Sequence, residues 1–269
     1  MPTPTDDDKL AAELAAAAGR LLLELRSGSD GKQHSGGASA ADHSIDPGAL
    51  RREGDRRSHE FLAAELRRQR PRDAVLSEEG ADDRARLSAS RVWIVDPLDG
   101  TREFGELGRT DWAVHVALWD NGNLTAGAVA LPAQDSIFAT AGALPGRDAP
   151  RPPEQPGTLR LLVSRTRPPE LAQRLAASTG AELVPLGSAG AKAAEVIRGS
   201  ADGYVHSGGQ YEWDSAAPVA VALAAGLHAS RIDGSALVYN QDPPSVPDIL
   251  ICRPELAGML LEAIGSASG

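Results

Sequence analysis

Cysteine is almost missing from this chain: Cys252 is the only one in 269 residues, which excludes an internal disulfide and a cysteine-based zinc cluster. A lone thiol fits a reducing cytoplasm. Excess positive charge is lacking too. With 27 Lys and Arg against 37 Asp and Glu, the formal net charge is -10, which argues against nucleic acid or an anionic membrane as a partner. Nor is there a long apolar run or a basic leader. Asp6, Asp7 and Asp8 stand where a signal peptide would be basic, and the apolar stretch that follows is broken by Glu13, Arg20 and Glu24. The expectation is a soluble cytoplasmic protein. What is present, 42% hydrophobic and 24% charged residues, suffices for one large or two modest domains with a sizeable core.

Leu10, Leu14, Ala17, Leu21 and Leu25 recur at helical spacing and predict an amphipathic helix over about 10–26. Residues 27–48 have no period and read as a long loop. Phe61, Leu62 and Leu66 mark a second helix with Asp55 in its N-cap region and Pro71 beyond its end. Short apolar runs at 74–76 and 92–95 predict buried strands. Residues 111–119 alternate in period two, and Asn121-Gly122 predicts a hairpin turn into 124–131, with a further strand at 136–140. The Pro- and Gly-rich stretch 142–157 predicts a junction between an N-terminal α+β part, 1–150, and a C-terminal α/β part, 151–269, in which strands and helices alternate.

The most informative stretch is Trp93–Thr101, W-I-V-D-P-L-D-G-T. A buried strand ends in Asp96, Pro97 fixes the turn, and Asp99 follows just before Gly100-Thr101. Carboxylates this close repel unless a cation lies between them, and magnesium, held by one or two carboxylates plus water and substrate phosphate, suits the pair. Gly100 lets the backbone approach a ligand, and amides at a helix start bind phosphate oxygens. Taken singly, Glu78-Glu79 reads as a solvated loop pair, and Asp214 and Asp55 as helix caps.

Together these positions resemble the lithium-sensitive, magnesium-dependent phosphomonoesterase superfamily of inositol monophosphatase and fructose-1,6-bisphosphatase. The pattern appears in order as Asp55, Glu78-Glu79, Asp96–Thr101 and Trp213-Asp214, with eleven residues before Gly226, and departs from it only where Leu227 replaces a second glycine. Within the superfamily the chain looks most like the CysQ-type 3′-phosphoadenosine 5′-phosphate phosphatases of actinobacteria, on S-E-E at 77–79, G-S-A-G-A-K at 187–192 and E-W-D-S-A-A-P at 212–218.

The resemblance implies a layered αβαβα sandwich, mixing α/β and α+β parts. It implies two or three magnesium ions held by Glu78, Asp96, Leu98 (through its backbone), Asp99 and Asp214, with inhibition by lithium. Asp55 and Thr101 would orient and deprotonate the attacking water, while Gly100, Thr101 and Asp214 meet the phosphate. Ser188 and Lys192, at i and i+4, would grip a second phosphate. The implied reaction is hydrolysis of the 3′-phosphate of 3′-phosphoadenosine 5′-phosphate, or of its sulfated form. The partner would be a small phosphorylated molecule, with neither nucleic acid nor membrane involved, and the chain would form a homodimer, as relatives often do. Inositol 1-phosphate and fructose 1,6-bisphosphate stay open as substrates, although His206 and Ser207 occupy the region where an acid would meet inositol hydroxyls. An inactive nucleotide sensor and an aspartate-nucleophile phosphatase are the readings from other classes; the second places its two acids two residues apart, not three. Arg67, Arg68, Arg70 and Arg72 read as a solvated face, His115 as a packing residue, and Tyr211 and Trp213 as either core or a platform for a base.

Overall fold

The computed structural model describes residues 5–30, 46–141 and 157–268. The first helix, α1 (Asp6–Asp30), outruns the predicted 10–26 segment at both ends. At its start Thr5 N donates to Asp8 Oδ2 at 2.9 Å and Asp8 N to Thr5 Oγ1 at 3.1 Å, a reciprocal cap. The second, α2 (Pro47–Gln69), is capped by Asp46, whose side chain accepts from Gly48 N and Ala49 N, and Pro47 at its start has no amide to leave unpaired. Asp55 is therefore no cap: it lies in the third turn. Of the predicted loop, 27–30 belong to α1, Asp46 caps α2 and 47–48 belong to it, while 31–45 lie outside the described residues, as does most of the predicted junction at 142–157.

The first sheet has the order β1 (Ala74–Ser77), β2 (Arg91–Asp99), β3 (Ala113–Asp120), β4 (Asn123–Leu131), β5 (Ser136–Ala139). β1 runs parallel to β2 and the remaining neighbours are antiparallel. Asn121 and Gly122 both take positive φ, 46° and 96°, as a two-residue hairpin turn requires. β2 does not stop at Asp96. Its register with β3 runs to Asp96 opposite His115, slips over Pro97-Leu98 and resumes with Asp99 opposite Ala113, because Pro97 has no amide to give the ladder.

The second sheet has the order β7 (Glu182–Leu186), β6 (Arg160–Ser164), β8 (Gly203–Tyr211), β10 (Ser245–Cys252), β9 (His228–Ser230), with β6 parallel to both of its neighbours. Three apolar cores define the layers. α1 and α2 cover one face of the first sheet, joining Leu10, Leu62, Trp93 and Val116. Between the sheets lie α5 (Ala189–Arg198) and α6 (Glu212–Ala224), whose Ala191, Val196, Ala217 and Val221 meet Ile94, Val129 and Ile249. α4 (Glu170–Thr179) and α7 (Ala257–Ser268) close the outside on Leu161, Leu175, Leu250 and Leu260. The result is the expected αβαβα sandwich. α6 packs on β3 and β4 as well as on β10, so the C-terminal half supplies a layer to the N-terminal sheet. Among the described residues no helix is long and apolar enough to cross a membrane.

Candidate active site

The irregular end of β2 delivers the first acids. Asp96, 1% exposed, turns Oδ1 back onto Leu98 N at 3.0 Å. Gly100, at φ 84°, caps the short helix α3 (Thr101–Gly105), and a Cβ there would stand 3.2 Å from both Asp111 O and the Ser188 Cβ. Only glycine lets this turn lie so close against the start of α5. Across from it, Thr101 Oγ1 lies 3.3 Å from Asp55 Oδ1 and 2.9 Å from Leu98 O. The third turn of α2 and the first of α3 thus bring the Asp55–Thr101 pair together.

From the other half, α6 presents Asp214. It stands third in the helix, not at the cap, and Tyr211 N donates to its Oδ2 at 2.7 Å. Pro218 lies in the helix interior, so the carbonyl four residues back, that of Asp214, has no helical amide partner. Glu78 follows β1 at the rim. Its carboxyl is held above the ordinary range, by the protein packed around it first and then by Asp214, Glu79 and Asp99, although the residue as a whole is exposed. Burial, reinforced by Glu78, Asp99 and Asp214, holds Asp96 well above the usual carboxylate range. Burial and Asp99 push Asp214 up to about 6; burial and Glu79 do the same for Asp55.

Asp99 is the exception. Burial works to raise it, but His115, Lys192 and the hydroxyl of Ser188 bring it down to about 2. Its Oδ2 accepts from Ser188 Oγ at 2.5 Å and Gly190 N at 2.9 Å, and faces His115 Nε2 at 3.1 Å. The four acids are electrostatic neighbours without being drawn to one point: among the described residues, no three His, Cys, Asp or Glu side chains stand grouped to hold a metal ion as they are. Their chemistry nevertheless fits one. The donors are all oxygen, and three of the four carboxylates are raised by one another, a repulsion that a hard divalent cation relieves.

Ser188 and Lys192, expected to grip a second phosphate, both face inward in this structure. Ser188 is 1% exposed, caps α5 through Ala191 N at 3.0 Å and gives its proton to Asp99. Lys192 is 3% exposed and its ammonium is spent on main-chain carbonyls, Gly187 O at 2.5 Å, Ser188 O at 2.9 Å and Leu186 O at 3.5 Å, with the Tyr204 ring 5.0 Å away. The i, i+4 spacing did place both on one side of the helix, but that side faces inward. Burial lowers the lysine to about 8. Tyr211 and Trp213 stack on each other, centroids 4.6 Å apart at 13°, with Tyr211 54% exposed.

A pocket of about 350 Å³ opens beside Gly100 and Thr101, bounded also by Arg102, Arg165, Arg167 and Ser164. Arg165 is held by Glu103 Oε1 at 2.6 Å and Glu106 Oε1 at 2.9 Å, whereas Arg102 and Arg167 are exposed and make no side-chain ion pair among the described residues. None of these arginines was singled out from the sequence, although Arg102 directly follows G-T and R-T-R directly follows β6. Of the basic run that was, Arg68 pairs with Glu65 and Arg70 with Asp7.

A model of the inositol monophosphatase family matches residues 4–267. The chain belongs to the inositol monophosphatase family. A member from Mycobacterium leprae, named 3′-phosphoadenosine 5′-phosphate phosphatase, is 50% identical over 96% of this chain and 93% of its own length. The 3′(2′),5′-bisphosphate nucleotidase CysQ of Shigella flexneri is 31% identical over 85% of this chain and 92% of its own. Among solved structures, the family member CysQ from Bacteroides thetaiotaomicron superposes with a TM-score of 0.69 at 26% identity, covering 91% of this chain and 96% of that one.

Proposed function

We propose that this family member is a metal-dependent phosphatase that removes the 3′-phosphate of 3′-phosphoadenosine 5′-phosphate, with magnesium as the metal and the cytoplasm as its place of action. The observation that supports a bisphosphate substrate is the arginine-lined pocket next to Gly100-Thr101. With one phosphate at the acids, Arg102 and Arg167 would meet the other, their guanidinium forks matching phosphate oxygens. Inositol 1-phosphate has no second phosphate for them. The exposed face of Tyr211 is the surface on which a base would lie.

Glu78, Asp96, Asp99, Asp214 and the Leu98 backbone would hold the magnesium, which supplies charge neutralisation for the phosphoryl group and lowers the pKa of a bound water. The chain's own groups do the rest. Thr101 Oγ1 takes a proton from the attacking water while passing its own to Asp55 Oδ1, and Asp55, already above the ordinary carboxylate range, is suited to receive it. The amides of Gly100 and Thr101, at the glycine-capped turn, orient the phosphate. The test is a phosphate-release panel of 3′-phosphoadenosine 5′-phosphate, inositol 1-phosphate and fructose 1,6-bisphosphate with magnesium. A preference for inositol 1-phosphate overturns the nucleotide reading.

Lithium should inhibit the reaction. A monovalent ion at one of these carboxylate positions supplies less charge than magnesium, so water activation or product release suffers. The check is a lithium titration against sodium at matched ionic strength; equal rates in the two salts count against this site.

A further inference from the structure

His115 was read as a packing residue, and it is fully buried in the middle of β3. Its two ring nitrogens face two different parts of the site. Nδ1 lies 3.1 Å from the carbonyl of Trp213, the residue before Asp214, so this nitrogen carries the proton and donates. Nε2 has no aligned hydrogen-bond partner; the acceptor it faces is Asp99 Oδ2 at 3.1 Å. The surroundings leave the ring one place to be. A Cβ on Gly190 would collide with Nε2 and come within 2.8 Å of Val129 Cγ1, so the start of α5 is shaped to the imidazole.

We propose that His115 is a positioning residue for the metal site, a role that rests on the metal-dependent reading above. Ser188 Oγ and Gly190 N donate to Oδ2 of Asp99, and the His115 ring, with Nε2 3.1 Å away, walls that oxygen in, leaving Oδ1, which has no hydrogen-bond partner among the described residues, as the oxygen offered to the metal. Through Trp213 O it also ties the first residues of α6 to β3, so that Asp214, from the C-terminal half, keeps its place opposite Asp99, from the N-terminal half. The ring is not among the residues that bound the arginine-lined pocket. Groups that orient metal ligands in this way typically change metal affinity about 10–100-fold when altered.

The experiment measures manganese binding to the full chain without substrate, from the free-ion electron paramagnetic resonance signal, in the parent, His115→Leu, His115→Asn and Asp214→Asn. His115→Leu removes both contacts, while His115→Asn keeps a donor near the Nδ1 position for Trp213 O. The expected result is roughly tenfold or more weaker binding in His115→Leu and a smaller loss in His115→Asn. At saturating magnesium His115→Asn should recover most of its kcat with KM for substrate near the parent's. A merely structural histidine would lower the melting temperature and leave manganese affinity alone. If His115→Leu does not fold, His115→Asn decides by itself, and parent-like affinity in the folded variant overturns the proposal. If the parent binds no manganese, or Asp214→Asn binds it as well as the parent does, the metal site is elsewhere and the reading beneath the proposal fails.

Discussion

Asp99→Asn and Asp214→Asn should each lower magnesium-dependent phosphate release about a hundredfold or more, the scale on which loss of a main transition-state charge stabiliser is felt. Their effects on the metal-free fold should have opposite signs. Asp214 has a carboxyl raised to about 6 by burial and by Asp99, so its charged form is disfavoured in the folded state. Its contribution is neutral well below pH 4 and becomes a penalty on the order of 2–3 kcal/mol as pH rises through about 6. In chelator at pH 8, Asp214→Asn should therefore melt higher than the parent, and the gain should vanish toward pH 4.

Asp99 is the reverse case. Its pKa lies near 2, since His115, Lys192 and Ser188 outweigh its burial, so its charge stabilises the fold above pH 4, and that stability is lost as pH falls through about 2. Asn at 99 still accepts from Ser188 Oγ and Gly190 N but leaves the buried Lys192 without its strongest countercharge, and Asp99→Asn should melt lower. Thermal unfolding in chelator from pH 4 to 8 reads both signs. Near-normal turnover in a folded Asp99→Asn protein would remove the metal-site assignment.

What the sequence made legible was what lies close along the chain. W-I-V-D-P-L-D-G-T is nine residues, and its strand, turn and helix start can be read locally, apart from the strand continuing through Pro97 to Asp99. Asp55 was found by its place in a motif and misplaced as a cap, because Asp46, a nearer and better cap, sits ahead of Pro47 at the edge of a stretch with no period. His115 and the pocket arginines were invisible for another reason. Their meaning comes from what the second half of the chain lays against the first: Trp213 O and Gly190 against β3, and the turn after β6 against α3. The inward turn of Lys192 was illegible for the same reason, since helical spacing fixes which residues share a face and not whether that face looks outward.

Arg167→Ala and Lys192→Ala should therefore separate cleanly. Arg167 is an exposed guanidinium on the rim of the pocket with no ion pair among the described residues to lose, so its removal should leave the melting temperature within about a degree or two, as for an ordinary surface substitution. A charge-assisted contact with a second phosphate amounts to about 1.5–3 kcal/mol, so kcat/KM for 3′-phosphoadenosine 5′-phosphate should fall roughly ten- to hundredfold. Inositol 1-phosphate, with nothing for that arginine to hold, should be turned over as before. Lys192→Ala acts on the fold instead. It leaves the carbonyls of Gly187 and Ser188 without their ammonium donor and Asp99 without a buried countercharge, at a cost of several kcal/mol by the scale of a broken buried charge interaction. The loop it braces carries Ser188 against Asp99, so whatever folded protein remains should lose activity on both substrates together. Steady-state kinetics on the two substrates, with melting curves for each variant, distinguish the outcomes. A selective loss on the bisphosphate from Lys192→Ala, with none from Arg167→Ala or Arg102→Ala, would return the second phosphate to the start of α5 and empty the arginine pocket of its role.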